Sequence, residues 1–192
     1  MWREEDLIAD HRALDFINTV SDTDKHRHRN RLDSWDRALG WAVFAGILDP
    51  READDLRGCR DRQKALEELL AFRECAYRIL HARAAGQVPS GDDLGSLQAE
   101  IQRAQAAGEL ISCRDGFGWR HGLERSGREV LRHRLTNQLW GLMSGPEISR
   151  LRECGRCSWL FLNKGRGVGR RWCRMSTCGN RAKAAAYRAN HE

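Results

Sequence analysis

Four cysteines near the C-terminus constrain this chain more than any other feature. Cys154 and Cys157 are separated by two residues, Cys173 and Cys178 by four, and fifteen residues lie between the pairs. One tight turn can present two sulfurs to a single ion, and a second pair on another element can complete a tetrahedron. The pattern predicts one structural Zn2+ held by Cys154, Cys157, Cys173 and Cys178. Four protein sulfurs leave no open position for a catalytic water. The usual iron–sulfur spacings differ from this one, and a thioredoxin-like C-x2-C motif needs a βαβ context that the sequence lacks.

Charge separates the chain into two parts. Residues 1–149 hold 22 Lys/Arg and 25 Asp/Glu, a balance of −3, whereas residues 150–192 hold 11 and 2, a balance of +9. Four thiolates and one Zn2+ change the second part by −4 + 2, so it stays strongly positive. A cationic segment beside a mildly acidic one is the footprint of a module that binds polyanions. A solvated tail has the same composition, but a metal site inside the basic stretch favours the first reading. No apolar run is long enough to cross a membrane, and the charged start has no signal-peptide core, so a cytoplasmic protein is expected. Reduced thiols in that compartment favour metal chemistry over structural disulfides.

The first part reads as helical. Ser34 with Asp36 starts a helix carrying Trp35, Ala38, Leu39, Ala42 and Ala45, with Gly46 as its stop. Asp49-Pro50 marks a turn or a new start. A long helix is expected from about Asp54 to Ala85, ended by Gly86 and Pro89. Ser90 with Asp93 caps a helix bearing Leu94, Leu97, Ile101 and Ala104. Residues 110–119 read as a short β-hairpin turning at Asp115-Gly116. A further helix is expected from about Ser126 to Ser144, and Gly145-Pro146 is the natural break. The expected fold is therefore mainly α with a small β-hairpin: a helical domain over 1–146 and a zinc finger over 147–192. In the finger, Cys154 to Cys157 form the knuckle of a hairpin, and Ser176 caps a helix with Cys178 in its first turn. Knuckle, hairpin and ligand-bearing helix describe a treble clef.

The run from Arg170 to Lys183, containing Cys173, Cys178, Gly179, Asn180 and Arg181, resembles the signature of the CGNR zinc fingers. Cys154, Cys157 and Phe161-Leu162 fit the same pattern. Leu14 to Val20, with Trp41 to Leu48, resembles the ABATE domain that precedes this finger in bacterial proteins. The resemblance implies a transcription regulator whose finger binds DNA and whose front domain senses a small-molecule effector. It also implies the same four cysteines as zinc ligands. One departure bears on the loop after Leu162: Asn163 and Lys164 stand where the family commonly has an Asp and a small hydroxyl residue.

Arg166, Arg170, Arg171, Arg174, Lys183 and Arg188 are the candidate phosphate contacts, because arginine forks match phosphate oxygens. Six contacts would give a log–log salt slope of about −5. Arg181 can reach a phosphate or stay inside the module. Asn180 can bond the knuckle backbone or a ligand sulfur, and Gly179 avoids crowding beside a ligand. Trp172 reads as a core anchor rather than a base-stacking platform. Asp15, Asn18 and Thr19 can line an effector pocket, although such residues more often make internal hydrogen bonds. No nucleophile elbow, P-loop or dinucleotide fingerprint points to an enzyme. The expectation is a bacterial DNA-binding regulator, nucleoid-associated on DNA, with an effector and a homodimer as further partners. A zinc-stapled protein-interaction or RNA-binding module is the alternative.

Overall fold

The computed structural model describes residues 2–23, 25–114, 116–165 and 169–190. Helix α1 (Arg12–Ile17) lies at its centre and buries five of its six residues. His11 caps it, its Nδ1 accepting from Ala13 N. A short antiparallel pair follows, β1 (Val20–Ser21) and β2 (Arg29–Asn30). Helix α2 (Trp35–Phe44) starts at Ser34, whose hydroxyl accepts from Arg37 N, and stops before Gly46, at φ +70. Helix α3 (Pro50–Arg57) opens on a reciprocal box between Asp49 and Glu52 with Pro50 at its first turn.

The single helix expected from Asp54 to Ala85 is two helices. Gly58 ends α3, and Asp61 takes the left-handed conformation (φ +57) before α4 (Arg62–Ala84) begins. No helix interior accommodates that conformation. Helix α5 (Gly91–Ala107) starts at Ser90, which accepts from Asp93 N as expected.

Strands β3 (Glu109–Cys113) and β4 (Gly116–Arg120) form the hairpin. Cys113 pairs with Gly116, so Gly116 belongs to β4, and Asp115, the other residue of the expected turn, lies outside the described residues. The register puts Leu110, Phe117 and Trp119 on one face, and all three are exposed. Where one helix was expected from Ser126, a short α6 (Leu123–Ser126) and a 3-10 turn precede α7 (Val130–Ser144).

Pro146–Arg150 form another 3-10 turn before β5 (Leu151–Glu153) and β6 (Leu160–Leu162), the hairpin that carries the cysteine knuckle. The last element is α8 (Asn180–Ala189). Ser176 does not cap it. Met175–Gly179 instead form one wide π-helical turn, with Gly179 N donating to Arg174 O five residues back.

The core is continuous from the front helices into the finger. Phe16 of α1 stacks on Phe72 of α4 at 6.0 Å and meets Trp41 of α2 at 5.5 Å. Leu160, Phe161 and Leu162 belong to the same buried cluster. Burying such side chains contributes roughly 1.5–3 kcal/mol each. The hairpin β5–β6 is therefore one wall of a shared core. Among the described residues no helix is long and apolar enough to cross a membrane.

Candidate metal centre and cationic helix

Cys154, Cys157, Cys173 and Cys178 converge, with all four sulfurs within 4.8 Å of one another and all four residues buried. Three separations are 3.6 Å for Cys157–Cys173, 3.5 Å for Cys173–Cys178 and 3.7 Å for Cys178–Cys157. A tetrahedral zinc with bonds of about 2.3 Å sets neighbouring sulfurs about 3.8 Å apart, so the cage fits that ion. The Cys157 and Cys173 thiols are pushed up, first by hydrogen bonding with Cys154 and further by burial. A bound cation supplies the compensation that lets such thiols ionise.

Local chemistry builds the cage. Cys154 N donates to Trp159 O at 2.9 Å, closing the knuckle, and Gly155 N donates to Arg171 O at 3.0 Å, tying the knuckle to the second pair. Trp172 is wedged between the two halves. A Cβ at Gly155 would lie 2.9 Å from its ring, and one at Gly179 would lie 3.1 Å from it and would strike Met175 Sδ. Gly179 therefore makes room for Trp172 and Met175, not for the sulfurs, and Trp172 is a packing residue. Asn163 closes the loop that follows β6. Its Oδ1 accepts from Gly165 N and Arg170 N, both at 3.2 Å, as an aspartate oxygen would.

The front domain grips this module closely. Asn18 Nδ2 donates to Leu160 O at 2.8 Å, and its Oδ1 accepts from Leu160 N at 2.9 Å. Leu162 N donates to Ala9 O at 3.0 Å, and Ala9 N donates to Asp15 Oδ1 at 3.0 Å. Thr19 Oγ1 donates to Phe16 O and accepts from the buried Arg73. Asp15, Asn18 and Thr19 therefore make internal bonds, the commoner of the two roles the sequence offered them, and two of them form the joint with the finger. Burial pushes the Asp15 carboxyl up to about 6, against hydrogen bonding from Ala9 N and the nearby Arg12.

The β1–β2 loop holds both flanks of the knuckle. Glu153, just before Cys154, meets Lys25 at 2.5 Å, Tyr77 at 3.4 Å and His81 at 3.5 Å. Ser158, just after Cys157, receives Arg27 on its hydroxyl and gives its N–H to Asp22. Arg27 also bonds Glu74 and Ile17 O and lies over the Tyr77 ring at 3.8 Å. Lys25 and Arg27 both take left-handed backbone conformations, a cost of about 1–3 kcal/mol each that these contacts offset. Sequence reading missed this loop as a functional support. Nothing local in its charged residues signals that role, and only the contacts with Glu153 and Ser158 reveal it.

Residues 10–146 match the model of the ABATE family, whose description is "Putative stress-induced transcription regulator". The chain belongs to the ABATE family. Residues 150–191 match the CGNR zinc finger, so the four sulfurs belong to a finger that can hold one zinc ion. No curated protein matches the chain.

The basic residues of this ABATE protein fall into two groups. Arg170 bonds the carbonyls of Trp172, Ile8 and Cys173 and lies over the Phe161 ring at 4.4 Å. Arg174 is bound to Glu5 through the carboxylate at 2.5 Å and the backbone carbonyl. Both were expected at phosphate; in this structure their guanidinium groups have partners within the chain. Arg166 lies outside the described residues. Arg181, Lys183 and Arg188 are exposed on α8 and make no ion pair among the described residues. Arg171 is exposed and stacks on Trp172 at 4.8 Å. Asn180 is exposed, and its amide donates to Ser176 O at 3.3 Å within the helix start, where it was expected at the knuckle backbone or a sulfur.

Proposed function

We propose that this protein is a DNA-binding transcription regulator whose contact surface is the outer side of α8 with Arg171. One observation carries the reading. Arg181, Lys183 and Arg188 stand exposed and unpaired among the described residues, on a helix that springs from the metal ligand Cys178. Arg181 and Arg188, seven residues apart, share one face, while the half-buried Ala182 and Ala185 turn inward. A short cationic helix with a small-residue back is free to approach a groove, and arginine forks suit phosphate oxygens. The zinc shell is complete with four sulfurs, so the ion's role is to hold α8 in place and not to catalyse.

Contacts from Arg171, Arg181, Lys183 and Arg188 would give a log–log salt slope for duplex DNA of about −3 to −4. Titration of the zinc-loaded full chain with duplex DNA across salt concentrations tests this. A slope near zero overturns it. Tyr187, 66% exposed on the same helix, favours base stacking as a second reading. Tighter binding to single strands or RNA than to duplex would select that reading. The exposed face of Leu110, Phe117 and Trp119 supports a protein contact, with a homodimer as the expected form. Sedimentation velocity of the full chain and of Phe117→Ser tests it, and a concentration-independent monomer refutes it.

A further inference from the structure

A groove of about 150 Å³ runs between the N-terminal segment and the finger. Its inner wall includes Cys157, Cys173 and Cys178, three of the four cage residues. Cys154 does not line it and is fully buried, so the cage is approached from one side.

The mouth has its own chemistry. Glu5, Asp6 and Asp22 line it, with Arg174 and Arg181 opposite. Asp6 is ionised: its paired contacts with Arg31 and the Arg3 N–H outweigh burial and hold its carboxyl below the usual range. Glu5 and Arg174, both lining the groove, are ion-paired, and Ile8 lines it as well. Glu5 is half exposed, and its ion pairs with Arg174 and Arg3 are of the kind that open readily.

We propose that this groove is the path by which the metal enters and leaves the finger, with the acidic turn as a cation-attracting mouth and the Glu5–Arg174 pair as its latch. Carboxylates at the rim raise the local concentration of divalent cations by electrostatic focusing. Loading then exchanges the thiol protons, which leave to solvent, for one cation held by four sulfurs. The inference rests on the zinc cage and is independent of the nucleic-acid reading.

The test is zinc transfer from the loaded full chain to excess pyridylazoresorcinol, followed by absorbance, after zinc content has been measured as one per chain. Wild type should release zinc at a rate that rises with chelator concentration, because the chelator reaches the cage before the fold opens. Glu5→Ala, which removes the latch, should release it several-fold faster. Ile8→Phe, which narrows the path, should release it several-fold more slowly. Arg188→Ala, outside the groove, should match wild type. Melting temperatures of all four loaded proteins separate access from stability. Rates independent of chelator, rates unchanged in both groove variants, or rates ordered by melting temperature would each overturn the proposal. Should Glu5→Ala fail to fold, Ile8→Phe alone decides, since slower release from a variant no more stable than wild type has no source but the path.

Discussion

The two halves of the finger are held in opposite ways. The β5–β6 hairpin is gripped from outside itself: Asn18 and Ala9 bond the backbone of β6, Trp159 Nε1 donates to Val20 O, and the β1–β2 loop fixes Glu153 and Ser158. Helix α8 has no buried residue and rests on the π-helical turn at Cys178. One zinc ion joins a half that behaves as part of the front domain to a half that faces solvent. The contrast teaches where function can reside. Positive charge packed against the gripped half, such as Arg170 over Phe161, is used to build it, whereas charge on the free half remains available to a partner.

Removing the metal should blur the contrast most. Cys154→Ser, or chelation of the native protein, should release α8 and also loosen the hairpin that walls the shared core. Structural zinc contributes on the order of 10 kcal/mol to small modules. Calorimetry should show the melting of the whole chain shifted downward, and a front domain that melts unchanged would break the comparison.

Asn18→Ala strikes the joint alone. It strands the buried N–H and C=O of Leu160, at a cost of about 2–4 kcal/mol. Urea denaturation should detect that loss. Affinity for duplex DNA in the absence of urea should be retained, because α8 is untouched.

Asp15→Asn should act with the opposite sign. Asp15 titrates near 6 when folded against an ordinary value of 3.8. The folded state therefore binds more protons between those values, and stability falls as pH rises through about 6. The amide keeps an acceptor for Ala9 N and has no charge to bury. The variant should be more stable than wild type at pH 7.5 by up to roughly 1–3 kcal/mol, and the gain should vanish near pH 4. Equal stability differences at both values would show that the carboxylate is not strained.

Least of all should happen to stability when Arg181, Lys183 and Arg188 are replaced together by Gln. Exposed positions of this kind change stability within about 0.5 kcal/mol each, yet the salt slope of DNA binding should fall by about three. A triple variant that unfolds would show that α8 is part of the core after all.

What could be read in the sequence follows the distance over which each feature is determined. Ser34 and Ser90 cap helices through partners three residues away, as the sequence implies, and Asp49-Pro50, by sequence a turn or a new start, opens α3 through the same kind of local bond. The cysteine cage was legible because ligand spacing is a local code with few solutions. The long helix was not, because Asp61 is an ordinary residue in an uncommon conformation. The roles of Asn18, Arg170 and Arg174 were hidden for a different reason. Their partners Leu160, Ile8 and Glu5 lie more than 140 residues away, and the same amide or guanidinium suits a ligand, a phosphate or a distant carbonyl.

Glu153 sits between Arg152 and Cys154 with Lys25, Tyr77 and His81 around its carboxylate. Strand residues alternate in direction, so one residue inserted into β5 would turn that carboxylate away and shift the first sulfur out of place together. The spacing between Leu151 and Leu162 is therefore fixed from two sides at once.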